Sequence, residues 1–329
     1  MRTYVIRRLL FVPPTVFIVT IILFLLMSIV PGDAIDVMSQ QLVIQGMDIE
    51  EARDLVAHQL GLDRPIYIQY GRWLGVVPQI DGNFSGIFQG DLGRSLWRPG
   101  TVLEDIARRW PVTLELGLLA LIIGQLIALP IGILSALRQD TWGDYMGRSI
   151  AIFCIAAPSF WIATLVIILP GLWWNYMPPI MYIPFFEDPL GNLQMFIIPA
   201  IVLGMAMAGG TMRMTRTMML EVLRQDYIRT AWAKGLKERV VIVRHALKNA
   251  LIPVVTVVGL WLPMLIGGTV IIETIFVLPG MGALIVYAAQ VRDYPVLYGT
   301  LLIFAFGMML INLMVDLTYA YLDPRVHYE

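Results

Sequence analysis

Charge is scarce in this chain. Of 329 residues, 14% are Asp, Glu, Lys or Arg, 58% are hydrophobic, and the mean hydropathy is +0.74. Soluble domains run at about 25% charged and about 45–50% apolar, so a polytopic membrane protein is expected instead. Cysteine is nearly absent. Cys154 is the single one, so no disulfide can form within the chain. Lying inside an apolar run, it reads as a small packing residue. The three histidines, His58, His245 and His327, fall in three separate regions, and there is no His-Glu-x-x-His or paired Cys/His spacing. A zinc site is therefore not expected. Nor does a histidine occupy an apolar run, which removes a Ser/His hydrolase at membrane depth. There is no Gly-Lys dipeptide, hence no P-loop. If ATP drives this protein, another chain binds it. The net charge of −1 gives no overall attraction to nucleic acid.

What the chain has is apolar length. A run of about 18 or more apolar residues reads as a membrane-spanning helix, and there are six: Leu9–Val30, Pro111–Leu137, Ile150–Leu172, Gln194–Met212, Ala250–Ile272 and Val296–Leu322. Pro130, Pro158 and Pro263 lie within them, as bundled membrane helices tolerate. The first run is 22 residues long, too long for a signal-peptide core of about 7–15. It reads as a retained helix. Lys and Arg gather on the cytoplasmic side of short loops. With a cytoplasmic N-terminus, the inner segments 1–8, 138–149, 213–249 and 323–329 hold 15 of them, against 1 in the short outer segments 173–193 and 273–295. The expected fold is all-α, with six spans and both ends in the cytoplasm.

Residues 31–110 are then an extracytoplasmic segment, 111–322 the main membrane domain and 323–329 a cytoplasmic tail. The outer segment is too long for a simple connector. It reads either as a surface cap or as a docking surface for an extracytoplasmic partner. Asp48–Leu60 places Ile49, Ala52, Leu55, Val56 and Leu60 near one helix face, and Gly61 follows as a C-cap. Pro65 blocks continuation, and the glycines between Gly82 and Gly93 suggest turns. Aromatics between Trp173 and Phe186 fit an interfacial belt. Pro279-Gly280 marks a turn, and Ala283–Gln290 is too short to span, so a shallow outer helix is expected.

Four polar residues lie in the apolar runs: Glu115, Gln125, Asn312 and Asp316. They are costly in lipid and are expected to face the bundle interior or a pathway. Asn312 and Asp316, four apart, share a helix face. They serve either interhelical hydrogen bonding or substrate contact. The methionines from Met205 to Met219 read as packing, though such surfaces also adapt to varied ligands.

The most basic stretch is Glu221–Asn249. Leu223, Tyr227 and Ala231, with Val222, Ile228 and Trp232, recur at helical spacing, so residues 221–234 predict a short amphipathic helix. Gly235 closes it in the manner of a C′ glycine. A second helix is expected with Val240, Val243 and Leu247 on one face, and Asn249 and Pro253 mark entry into the next span. A basic surface can bind anionic headgroups. An apolar face with Tyr227 and Trp232, held at a glycine corner, suits insertion into a protein groove.

At these residues the chain resembles the inner-membrane permeases of ABC importers, within the dipeptide/oligopeptide permease family, as the first of its two permease subunits. The general loop motif, Glu-Ala-Ala-x-x-x-Gly then Ile-x-Leu-Pro, is met by Ala231, Gly235 and Leu247. Arg229, Thr230, His245 and Lys248 replace its Glu, Ala, Ile and Pro. The peptide branch's own form, Tyr-x-Arg-Thr-Ala-x-Ala-Lys-Gly-Leu and His-Ala-x-x-Asn-Ala, is met at Tyr227–Leu236 and His245–Ala250. Leu60–Pro65, Gly90–Ser95, Glu273–Gly282, Arg292–Pro295 and Leu322–Arg325 are also similar to family segments, whereas Gly75–Phe88 matches none. The resemblance implies a second permease subunit, usually a different chain, together with two ABC ATPase subunits carrying ATP and Mg²⁺ and an extracytoplasmic substrate-binding protein. It implies that Tyr227, Ile228, Arg229, Thr230, Ala231, Trp232, Lys234 and Gly235 form the loop that couples to an ATPase. It implies no cofactor on this chain, placement in the cytoplasmic membrane among lipids, and import of peptides. Nickel or oligosaccharides are alternative cargoes of the same architecture. A stand-alone channel or secondary transporter is disfavoured, because no repeated half with paired broken helices is visible.

Overall fold

A computed structural model describes residues 2–29, 34–176, 179, 181–267 and 269–322. The tail 323–329, with His327 and most of the Leu322–Arg325 segment, lies outside the described residues, as does the Val30 end of the first expected span. Helices dominate. Among the described residues there is no β-strand, only an isolated antiparallel bridge between Arg94 and Thr101. In order, the helices are α1 (Arg2–Ile29), α2 (Ala34–Ile44), α3 (Ile49–Leu60), α4 (Ile66–Leu74), α5 (Val102–Leu137), α6 (Trp142–Ala156), α7 (Ser159–Trp174), α8 (Pro189–Leu223) and α9 (Asp226–Ala233). A short α10 (Glu238–Val240) leads through a π-helical segment (Val241–Leu247) into α11 (Lys248–Trp261). Then follow α12 (Met264–Gly267), α13 (Val270–Ile275), α14 (Met281–Val291) and α15 (Tyr294–Leu322).

Four continuous helical stretches among the described residues are long and apolar enough to cross a membrane: Val102–Leu137, Pro189–Leu223, Glu238–Trp261 and Tyr294–Leu317. α6 and α7, bent by 99° at the break between them, count as a fifth if the pair is one span. Several expected boundaries are corrected. The helix expected at Pro111 starts at Val102. The span expected at Gln194–Met212, the shortest by apolar content, is a 35-residue helix. It starts at Pro189 because Asp188 caps it, its carboxylate accepting from the amides of Leu190 and Gly191 at 3.1 Å. It runs past Met212 because Arg213 and Arg216 are good helix formers once clear of the apolar layer. Pro158 is not absorbed into a straight helix. Ala157 and Pro158 are extended and break the third span. The fifth likewise ends at Trp261, before Pro263, rather than at Ile272.

The chain divides into two compact units. The first comprises residues 112–282 with 308–322. Its centre is α8, against which α6, α7 and α11 pack. Leu116 and Ala120 of α5, Phe196, Ala200 and Leu203 of α8, Ile272 of α13 and Leu278 form one buried cluster. Small residues let the backbones approach. A Cβ on Gly204 would lie 2.5 Å from the Ala120 carbonyl oxygen, and one on Gly124 would lie 2.9 Å from that of Gly204. Thr113 fixes the turn after α13: its hydroxyl donates to Glu273 at 2.7 Å and accepts from the Met281 amide at 2.8 Å.

The second unit comprises residues 2–111 with 283–307. Gly61 closes α3 as expected, at φ +67°, and the Asp48 carboxylate caps its start, accepting from the Glu50 amide at 2.9 Å. Ala52 and Val56 are buried, but Ile49 and Leu55 are exposed. Pro65 does not merely stop a helix; it begins α4. α4 is held to α1 and α15 by rings: Phe24 meets Tyr70, Trp73 and Tyr298 at centroid distances of 5.2, 5.9 and 6.0 Å. Gly82, Gly90 and Gly93 have positive φ, as the expected turns require. The Gly75–Phe88 stretch is organised by Gln79, whose amide donates to the carbonyls of Arg72 and Ser85. Two segments far apart in sequence meet here. The buried Asp293 carboxylate accepts from the Ser95 hydroxyl and, at 3.2 Å, from the Leu96 amide.

Candidate functional site

The basic stretch folds around α9. Gln225 is extended (φ −72°, ψ 147°), so the chain turns sharply out of α8 before Asp226 starts the next helix. The Thr230 hydroxyl donates back to the Asp226 carbonyl at 3.0 Å. At the far end Gly235 takes φ +76°, its amide donating to the Trp232 carbonyl at 2.9 Å. No atom lies within 4 Å of where a Gly235 Cβ would sit. The glycine is therefore required by backbone conformation, not by crowding. The eight residues of α9 are too few to be stable alone, so packing must hold them.

That packing divides the eight candidate residues. Ile228 is 0% exposed and Ala231 is 7% exposed. They join Met219 of α8, Ala136 of α5, Val241, Ala246 and Ala250 in one apolar cluster. Burying a side chain such as Ile228 contributes about 1.5–3 kcal/mol. Tyr227 and Trp232 are 43% and 45% exposed. Arg229, Thr230, Lys234 and Gly235 are also exposed. The periodicity alone grouped Ile228 with Trp232, and the structure separates them. The Arg229–Asp226 ion pair, at 3.4 Å with both side chains largely in solvent, adds little. Tyr227 is fixed by a hydrogen bond to its hydroxyl from the Asn249 amide at 2.8 Å. The two similar segments Tyr227–Leu236 and His245–Ala250 are thus joined through Tyr227 and Asn249.

The second helix differs from its expected form. Val240 and Val243 are exposed, whereas Val241 and Ala246 are buried. Their separation of five matches the i→i+5 bonding of the π segment, not an α repeat. The segment then runs straight into α11. With α8 reaching Leu223, the non-helical part of the expected loop 213–249 shrinks to two short breaks, at 224–225 and 234–237.

The four polar candidates do not form one cluster by exposure. Glu115 is half-buried, its Oε1 has no hydrogen-bond partner among the described residues, and Asn192 stands beside it. Both polar atoms of the Gln125 amide are buried without a partner among the described residues. Asp316 is half-buried. Asn312 is exposed on the isolated chain, so within this chain it does not face the interior, and of its two expected settings only a pathway is left. A helix with one polar position aimed outward is recognisable only once its neighbours are placed. Among the described residues there is no group of three or more His, Cys, Asp or Glu able to hold a metal ion.

Sequence reasoning missed one arrangement next to α9. Asp144, in the first turn of α6, is completely buried. Arg216 of α8 grips it through two bonds, Nε to Oδ1 at 2.7 Å and a terminal nitrogen to Oδ2 at 2.8 Å. The Asp140 amide donates to the same carboxylate at 3.0 Å, and Arg148 approaches at 3.3 Å. Both partners lay in segments counted only for their charge, so nothing in the pattern linked them.

The sequence matches the family model described as binding-protein-dependent transport system inner membrane component over residues 128–328, and the N-terminal model of the same systems over residues 1–117. Three curated relatives match over the full length of both chains. They are a putative peptide transport system permease of Brucella suis biovar 1 (strain 1330) at 41% identity, the dipeptide transport system permease DppB of Escherichia coli (strain K12) at 36%, and the glutathione transport system permease GsiC of Escherichia coli O6:H1 at 35%. Two solved structures share the fold. The inward-facing MetNI methionine ABC transporter matches with a TM-score of 0.54 and 17% identity, over 68% of this chain and 98% of the other. An amino acid ABC transporter with histidines matches with a TM-score of 0.53 and 13% identity, over 67% and 94%.

Proposed function

This chain belongs to the inner membrane components of binding-protein-dependent transport systems, and from that premise we propose that it builds half of the pathway of an ATP-driven peptide importer. The observation that carries the proposal is the divided face of α9. Ile228 and Ala231 anchor the helix to its own bundle, while Tyr227, Trp232, Arg229, Thr230 and Lys234 are left for a partner. An amphipathic helix seated on one side and open on the other fits a groove in a second protein. That protein is an ABC ATPase subunit, which supplies ATP and Mg²⁺. The second permease subunit, a different chain, completes the pathway. A binding protein delivers substrate over residues 31–110 and 273–295.

The membrane part has six spans in this proposal: α1, the four long helices, and the bent α6–α7 pair. The distribution of Lys and Arg supports both termini in the cytoplasm. Peptide cargo is supported by the names of the full-length relatives. Glu115, Gln125, Asn312 and Asp316 are the polar groups proposed to serve the pathway or the helix contacts beside it.

The test is purification in mild detergent. The chain is expected to co-elute with two P-loop ATPase subunits and a second permease, and to show no ATPase activity once separated from them. Transport by the chain alone would overturn the proposal. Mass spectrometry of the ligand carried by the associated binding protein separates peptide from nickel or oligosaccharide.

A further inference from the structure

We propose that Asp144 and Arg216 are a positioning pair that passes movement of α9 to α6, and so sets how strongly a docked binding protein stimulates ATP hydrolysis. The proposal rests on the assignment of α9 as the ATPase contact. Four observations carry it, all within the first unit. Ile228 and Ala231 of α9 pack in one buried cluster with Met219 of α8. Arg216 lies three residues before Met219, on the same side of the same helix. Arg216, itself only 19% exposed, makes two parallel bonds to Asp144, which is 0% exposed. α6, which carries Asp144, packs along α8 and ends at the 99° bend into α7.

The chemistry suits transmission. A bidentate guanidinium–carboxylate fork fixes orientation as well as distance. An apolar contact can slide, but this pair must either move as one body or break a fork whose carboxylate is fully buried. The other groups facing Asp144 belong to its own neighbourhood: the Asp140 amide and Arg148, which stacks over Tyr145 at 4.5 Å. Neither belongs to α8, so Arg216 supplies the charged link from this carboxylate to the helix whose Met219 packs with α9.

Arg216→Lys is the diagnostic variant, because lysine keeps the charge but cannot make the fork. The readout is the ratio of ATPase rates of the whole complex with and without its binding protein, used as purified with its own ligand. A purely structural role would lower yield and melting temperature without moving that ratio. The ratio is expected to fall about tenfold in Arg216→Lys, within the range of coupling between sites. Arg148→Gln, which leaves the fork intact, is expected to keep the parental ratio. A parental ratio in Arg216→Lys, or an equal fall in Arg148→Gln, overturns the proposal. If Arg216→Lys does not accumulate, the neutral pair Asp144→Asn with Arg216→Gln is measured instead, with the same two outcomes. Trp232→Ala separates this proposal from the one beneath it. If that variant retains full ATPase binding and stimulation, α9 is not the contact. If it loses them while Arg216→Lys does not, only the positioning pair is wrong.

Discussion

The two long helices that flank α9 are built differently. α8 enters it and the π segment with α11 leaves it. In its most apolar window α8 is 67% buried within the chain, whereas the Glu238–Trp261 stretch is only 22% buried. α8 is an unbroken 35-residue helix with α6, α7 and α11 packed around it. The outgoing stretch carries a π segment, and Val243, Ile252, Val255 and Leu260 are exposed along it. One is a post inside the bundle, and the other is a flank available to lipid or to another subunit. A short helix hung between them is held to both, since its buried side chains Ile228 and Ala231 share one apolar cluster with Met219 of α8 and with Val241, Ala246 and Ala250 of the outgoing stretch.

Four tests break or sharpen this contrast. The largest effect is expected at the π segment. Val241→Asp places a charge at a fully buried position and should cost about 3–5 kcal/mol, whereas Val243→Asp, two residues on and exposed, should be tolerated. Thermal unfolding of the purified complex checks both, and the reverse order would restore the α-helical register over 240–247. Next is Ile228→Ala, expected to cost about 2–5 kcal/mol for a large-to-small core change, read by the same unfolding. Its partner, Trp232→Ala, should leave melting nearly unchanged and instead weaken recovery of the ATPase subunits on co-purification. If both variants behave alike, the division of α9 into two faces is wrong. Third is Gly204→Ala on α8, whose new Cβ meets the Ala120 backbone. Overpacking of this kind costs about 1–3 kcal/mol, while Leu260→Ala on the exposed flank should be near neutral. Comparison of detergent half-lives tests the pair. The smallest is Gly235→Ala, which forces an L-residue into left-handed backbone at about 1–2 kcal/mol. Membrane insertion should persist while binding-protein stimulation of ATPase falls, as assayed in proteoliposomes.

Much of this was legible in the sequence, and what was not has identifiable causes. Gly61 marked the end of α3 because caps are local chemistry. Gly235 marked the end of α9 for the same reason. Periodicity gave α9 an apolar face but could not divide it, because Ile228 and Trp232 are equivalent until Met219 is placed beside one of them. The second helix was misassigned because an α repeat was assumed where Val241 and Ala246 follow a π repeat. Span ends were misplaced because hydropathy marks the apolar layer, while helices such as α8 continue through Arg213 and Arg216 to Leu223. The Asp144–Arg216 fork left no sequence trace, since its partners are 72 residues apart.

The tie between Ser95 and Asp293 has a consequence for biogenesis. Its partners are 198 residues apart. At a synthesis rate of about 5–20 residues per second, Ser95 waits roughly 10–40 s for its acceptor to be made. During that time the Gly90–Ser95 segment lacks the carboxylate that organises it. The arrival of Asp293 therefore completes a segment made 198 residues earlier. A chain stopped short of Asp293 would carry all of residues 31–110 and still present an unfinished surface, a difference that proteases are placed to detect.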